Sequence, residues 1–243
     1  MVPHGCRYIP VVLYFSCISI VSAAPGDGDY YVGFDAGYLT GSYNTALDSD
    51  RYSFQFIGGY LASTYDLSVS VPYLVQHDEA GYTNTGIGDV LVQIGHTLRS
   101  GQPDGFSLDG SVMVKLPTAD ESKGLGTGQL DVGLFMDIGH QWPSFSGSLR
   151  AGYINTGDSA VENYNNSFLY GISFFRLAGR FGNYLSVDGY TAALDNVADP
   201  LELQIGTFYA VSADYVLNAN ALFGLTDGSP DFGMSVGLRY WLD

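Results

Sequence analysis

Cysteine is nearly missing from this 243-residue chain: Cys6 and Cys17 both fall in one N-terminal apolar segment. With that segment set aside, disulfides, thiol nucleophiles and thiolate-held metals are excluded. Basic residues are scarce as well. Nine Lys and Arg face 25 Asp and Glu, a formal net charge of -16, and the nine are scattered. Phosphate binding needs a basic stripe, so nucleic acid is excluded as a partner. Charged residues of both signs make up only 14% of the chain, where a soluble domain usually has about a quarter. Long apolar runs are absent too, and nothing in the body approaches the roughly 20 residues of a spanning helix. If this chain crosses a membrane, it crosses as strands.

Glycine and tyrosine fill the gap, with 32 Gly and 19 Tyr, and aromatics reach 14%. That composition suits a barrel with aromatic girdles and tight turns. The pattern is clearest from Lys115 to His140, where two alternating runs flank the acidic, Gly-rich loop ADESKGLGTG. In the second run Leu130, Val132, Leu134, Met136 and Ile138 share one face, and Gln129, Asp131, Gly133, Phe135, Asp137 and Gly139 the other. Strand side chains alternate faces, so one wall is apolar and the other largely polar.

Similar segments recur along the chain: Tyr30–Ser42, Arg51–Leu61, Tyr65–Gln76, Gly86–Arg99, Phe106–Pro117, Gly128–Gln141, Phe145–Thr156, Phe168–Leu177, Phe181–Ala193, Leu201–Ser212, Tyr215–Thr226 and Phe232–Leu242. About twelve strands, each near ten residues long, fit an all-β, antiparallel transmembrane barrel. The connections sort by length. Long acidic ones at Tyr43–Asp50, His77–Thr85, Thr118–Thr127, Gly157–Ser167, Leu194–Pro200 and Asp227–Asp231 alternate with short ones near Ala62–Thr64, Ser100–Gly105, Trp142–Ser144, Ala178–Arg180 and Ala213–Asp214. A membrane barrel has short periplasmic turns and long outer loops. A soluble sandwich has no reason to sort its loops in this way.

Residues 1–23 read as a signal peptide: Arg7 supplies the charged start, Ile9 to Val21 the apolar stretch, and Val21-Ser22-Ala23 a small-residue cleavage site. The setting of Cys17, after Tyr14-Phe15-Ser16, is poor for lipoprotein processing. Residues 24–243 then form one barrel domain exported to the outer membrane of a Gram-negative bacterium. Lipid and lipopolysaccharide around it, and a small-molecule solute within it, are the expected partners. Nothing in the sequence sets the oligomeric state.

Alternation places Asp35, Asp89, Asp109, Asp131, Asp137, Asp188 and Glu202 in the lumen with Lys115, Arg150 and Arg239. Carboxylates in excess of cations favour positive or neutral solutes over anions. The competing reading is that these groups pair with one another and fill a narrow barrel, as side chains often do.

Three short segments carry a family resemblance: TGIGDV (Thr85–Val90), KLPT (Lys115–Thr118) and LGTGQLDVG (Leu125–Gly133). With them the chain resembles the outer-membrane family annotated for the meta-pathway of phenol degradation, β-barrel transporters of Gram-negative bacteria. The motifs cover the middle third, and the strand pattern extends the likeness along the rest. The resemblance implies a barrel that passes small, in part aromatic, organic molecules. Such barrels commonly end in an aromatic residue, whereas this chain ends Tyr240-Trp241-Leu242-Asp243.

The glycine-rich loop with Gly124, Gly126, Thr127 and Gly128 lacks the Gly-Lys-Ser/Thr ending of a phosphate cradle, and a strand follows it. A constriction loop is the better reading. Acidic loop residues such as Asp120, Glu121, Asp195 and Asp199 do not match calcium-loop spacing, so no metal site is expected. An outer-membrane hydrolase needs a nucleophile, base and orienting group in one place. His96 and His140 fall on outward faces and His77 opens a loop, with no serine in an obvious partner motif, so no catalytic residue and no cofactor are expected. Apart from a channel, a structural or surface-interaction barrel without transport remains as a reading.

Overall fold

The computed structural model describes residues 28–42, 48–101, 105–157 and 164–242. The leader expected at residues 1–23 lies outside them, as do Asp158, Glu162 and Asp243. The strands are β1 Asp29–Gly41, β2 Ser49–Leu61, β3 Tyr65–Asp78, β4 Thr83–Ile87, β5 Val90–Arg99, β6 Phe106–Leu116 and β7 Asp131–Gln141. They continue as β8 Ser146–Asn155, β9 Ser167–Ala178, β10 Phe181–Tyr190, β11 Leu201–Ala210, β12 Tyr215–Gly224 and β13 Phe232–Leu242. One 3₁₀ turn, Glu121–Lys123, interrupts the loop between β6 and β7.

Apart from β4 and β5, which do not pair with each other, each strand pairs antiparallel with its sequence neighbours, and β1 pairs with β13, which closes the sheet into a barrel. β4 and β5 both pair with β3 and form one interrupted stave, so the barrel has 12 staves. The expected loop His77–Thr85 is instead largely strand, because β3 runs to Asp78 and β4 starts at Thr83. A hairpin whose backbone groups pair with each other can stand beyond the barrel rim without further support.

The interruption is a bulge. Tyr73 faces Ile87, but Ser70 faces Leu91, so Gly88, Asp89 and Val90 oppose Val71 and Pro72. An extra residue flips the alternation. Before it Thr83, Thr85 and Ile87 are exposed, and after it Ile94, His96 and Leu98 are. Pro72, with no amide hydrogen to give, sits where the regular ladder lapses.

The outer wall is apolar. Phe54, Phe56, Leu134, Leu149, Val236 and many others are exposed, far more than a water-facing surface carries in one continuous belt. Aromatic clusters ring both ends. At the short-turn end Tyr30 lies 4.9 Å from Tyr60, Trp142 stacks 4.7 Å from Phe145, and Tyr215 stacks 4.7 Å from Tyr240. At the long-loop end Tyr38 lies 5.1 Å from Tyr52 and Tyr153 lies 5.0 Å from Phe168. Tyr30 and Tyr38 on β1 mark the two girdles; at ~3.3 Å per residue and a tilt near 40° they lie ~20 Å apart in height, close to the ~25 Å apolar band of outer-membrane barrels.

Candidate functional site

The inner wall has three levels. Toward the short turns there are two cavities. One, of about 310 Å³, is lined from Tyr31 and Trp241 up to Leu39. The other, of about 470 Å³, lies against the connections holding Gly101, Gly105 and Trp142 to Phe145. Asp109, Asp137, Arg150 and Tyr184 line both. Above the second cavity Met113, Phe135 and Ile154 form a buried apolar cluster inside the barrel, with Leu91 and Leu169 against it.

At the long-loop end the three motif segments meet around one buried ammonium. Lys115 Nζ lies 2.7 Å from Asp131 Oδ2 and 3.4 Å from Asp89 Oδ2, and it donates to Thr127 Oγ1. Asp89 Oδ1 accepts from the Ala119 amide, and Asp131 Oδ1 from the Gly157 amide. Thr118 completes the unit. Its hydroxyl donates to Gly88 O at 2.9 Å and accepts from the Val90 amide at 2.9 Å, supplying partners to the backbone groups that the bulge leaves unpaired. TGIGDV makes the bulge, KLPT supplies the ammonium and the hydroxyl, and LGTGQLDVG returns the loop to the barrel wall.

The loop from 117 to 130 therefore folds inward rather than into solvent. Gly124, Gly126 and Thr127 are buried and Leu125 is 1% exposed, while Gly128 is half-buried. Gly128 has φ 67, and a Cβ there would meet the Glu121 carboxylate. A Cβ on Gly126 would meet the Asp89 carboxylate and Ala119. Glycine is required at both, at one for its backbone conformation and at the other for space. Asp120 caps the 3₁₀ turn, its carboxylate accepting from the Ser122 amide and hydroxyl; the hydroxyl bond first, then the amide bond and the Lys123 charge, hold this acid below the usual carboxylate range. A second loop, 225–231, brings Ser229 and Pro230 into the same end, and Ser229 donates to Leu201 O.

The other lumen acids and bases fall into two groups. Arg239 grips Asp35 through both carboxylate oxygens, at 3.0 and 2.6 Å, and Asn218 adds a bond to the same acid. Arg150 grips Asp137 likewise, at 2.8 and 3.0 Å. Asp109 accepts from Thr97, and Asp188 from Ser186. Glu202, opposite Asp188 in the ladder, is 2% exposed, and its Oε1 has no hydrogen-bond partner among the described residues. The lumen carboxylates are thus partly spent on the cations: Asp35 and Asp137 each hold an Arg, and Asp89 and Asp131 share Lys115.

Sequence reasoning missed three inner residues. Asp66 follows from the same parity that puts Ser68 and Ser70 inside, so its signal was present. Arg51 and Gln76, bonded at 3.1 Å, are the terminal residues of their expected segments, and the parity of Tyr52, Phe54 and Phe56 on β2 and of Ser68 and Ser70 on β3 already puts them inside. Of the histidines, His77 bonds Thr83 and His140 bonds Gly105 O. His96 is exposed on the outer face of β5. Among the described residues none is paired with a serine, and no cluster of His, Cys, Asp or Glu is placed to hold a metal.

A closed antiparallel barrel with a lipid-facing apolar belt, two aromatic girdles and a polar, partly hollow interior is an outer-membrane β-barrel. The chain belongs to the family described as "Protein of unknown function (DUF3187)", whose model matches residues 67–242. No curated protein matches it. Among solved structures it is similar to the COG4313 outer membrane channel from Pseudomonas putida F1, at TM-score 0.74 and 13% identity, over 90% of this chain and 97% of that one. It is also similar to the KdgM porin in complex with disordered oligogalacturonate, at TM-score 0.57 and 8% identity, over 87% of this chain and 99% of the other. The β domain of the Bordetella autotransporter BrkA matches at TM-score 0.54 and 15% identity, over 88% and 99%. Likeness at such identities speaks for the fold.

Proposed function

We propose that the protein is a passive outer-membrane channel for small neutral or cationic solutes, with the loop carrying Gly124, Gly126, Thr127 and Gly128 constricting its long-loop end. One observation carries this reading: two cavities lie inside the barrel and share Asp109, Asp137, Arg150 and Tyr184 in their walls. The long-loop end faces outward among lipopolysaccharide, as loop sorting implies. The lumen residues Asp35, Asp89, Asp109, Lys115, Asp131, Asp137, Arg150, Asp188, Glu202 and Arg239 set the field a solute meets. With three of the cations already paired, unpaired carboxylates dominate that field and disfavour anions. Passage of aromatic compounds in a phenol-degrading context is the narrower form of the proposal and comes from the resemblance.

The test is osmotic swelling of proteoliposomes in uncharged solutes of rising size, with planar-bilayer reversal potentials in KCl. Swelling with small solutes and a cation-directed potential support the channel. An inert vesicle, with the protein shown to be inserted and heat-modifiable on a gel, removes it. A second reading, a sealed structural barrel, draws on the dense packing of Leu125, Thr127, Ser229 and Pro230 at the long-loop end; the same inert vesicle would favour it. Catalysis forms no part of the proposal.

A further inference from the structure

The cavity of about 310 Å³ is lined by two kinds of surface. One is aromatic: Tyr31 and Trp241 have ring centres 5.0 Å apart, and Tyr184 and Phe208 continue the wall. The other is neutral and polar. Gln55, Ser68, Ser70 and Ser111 line it with amide and hydroxyl groups that make no side-chain hydrogen bond among the described residues. Asn220 donates to Ser235 at 2.6 Å, while its Oδ1 is buried with no partner among the described residues. Ser70 and the Asn220 Oδ1 are buried, and Gln55, Ser68 and Ser111 are half-buried facing the cavity, so their spare donors and acceptors are open to bond whatever enters it.

Charge narrows the class. Both guanidinium groups in the wall are already held bidentate, Arg239 by Asp35 and Arg150 by Asp137. Asp66 and Asp109 line the same space, and among the described residues no basic side chain lies within ion-pair distance of either. An anion would meet net negative charge with no free cation to receive it. A phenol would stack on the aromatic wall but offer a single hydroxyl, leaving most of the polar wall unbonded. A sugar ring offers several hydroxyls, each able to donate and accept, and a C–H face that packs on aromatic rings.

We infer that this cavity is a binding subsite for a neutral polyhydroxylated solute of mono- to disaccharide size, held between the Tyr31–Trp241 pair and the amides of Gln55 and Asn220. The inference rests on the channel reading and deepens it. Weak binding is what a conducting site requires, because the solute must also leave.

Trp142 and Trp241 are the two tryptophans of the chain. A Trp142→Phe protein in detergent micelles therefore reports on the cavity through Trp241 fluorescence alone, without any transport step. Titration with maltose or glucose should give a saturable change with a Kd of ~1–10 mM. Glucuronate and phenol should give none in that range. In that background Gln55→Ala, which breaks no side-chain hydrogen bond among the described residues, and Asn220→Ala should each weaken sugar binding about 5- to 10-fold. A flat response to neutral sugars, or an equal response to glucuronate or phenol, overturns the subsite. So does an unchanged Kd in both variants. Proteoliposomes that still swell alongside a flat titration would sink the subsite and leave the channel; vesicles that never swell would sink the channel, whatever the titration shows.

Discussion

The two ends of this barrel use the same strands to opposite ends. Toward the short turns the inner face carries serines, glycines and amides around open cavities, and its ion pairs lie flat against the wall. Toward the long loops the inner face is filled, with Lys115 at 3% exposure, Asp89 at 4% and Leu125 at 1%. The difference teaches that closure is not a property of the staves. It comes mainly from the 117–130 loop, folded inward and fixed by a single ammonium shared between two carboxylates and a threonine, with Ser229 and Pro230 of a second loop packed at the same end. A wide vestibule below and a latched loop above are what a channel needs to admit solutes at one level and select them at another.

The latch is the place to break the comparison. Lys115→Met keeps the length of the side chain and removes the charge, leaving Asp89 and Asp131 as buried carboxylates without a cation. Removing one partner of a buried pair costs about 3–5 kcal/mol. Urea unfolding in micelles should show a loss of that order, and the loop should become cleavable by protease in the folded barrel. Adding Asp89→Asn and Asp131→Asn to the same protein should restore much of the stability, since the unpaired charges are then gone. If Lys115→Met matches the parent in both assays, the two ends do not differ in the way described.

A smaller change at the same end separates the bulge from the ammonium. Thr118→Val preserves shape but leaves Gly88 O and the Val90 amide without the hydroxyl that serves both. Unsatisfied groups of this kind cost about 1–3 kcal/mol in total here. Hydrogen exchange at Val90 should rise while exchange across β9 to β12 stays at parent levels; a uniform rise would mean that Thr118 supports the whole barrel and not the bulge.

At the open end the expected effect is on selectivity more than on stability. Arg239→Leu frees Asp35 in the wall of the smaller cavity and should cost about 1 kcal/mol, because both side chains are partly exposed. The reversal potential should move further toward the cation limit. Arg150→Leu should act in the same direction through Asp137. A shift toward anions in either variant would show that the unpaired carboxylates do not set the field.

Much of this was legible in the chain. Strict alternation in β6 and β7 set which residues face lipid, because a period of two has no freedom once one face is apolar. Loop sorting set the barrel against the sandwich. What was not legible followed from contacts distant in sequence. Asp89 and Lys115 both read as lumen residues, but nothing local says that they touch, or that Thr118 closes the bulge that aims Asp89 inward. The extra residue at Gly88–Asp89 hides inside a run that looks continuous, since glycine fits either face. The pairings Asp35 with Arg239 and Asp137 with Arg150 required register, which alternation alone does not supply.

The smallest effect sharpens the comparison at the loop's outer edge. Asp120 is exposed, and the Ser122 hydroxyl holds it ionised below the usual carboxylate range. A depressed acid stabilises the fold above its unfolded value and loses that contribution as pH falls through the folded one. Cleavage of the 117–130 loop should therefore begin to rise as pH falls into the ordinary carboxylate range and level off only at more acidic pH, once the folded-state group is protonated as well. Asp120→Ala should start slightly faster and show no such step, while Asp120→Asn, which keeps a cap acceptor, should lie between them. The change is small in every case, because the turn only shapes the loop's rim. A large effect of Asp120 on loop opening would move the latch away from Lys115 and out to the surface.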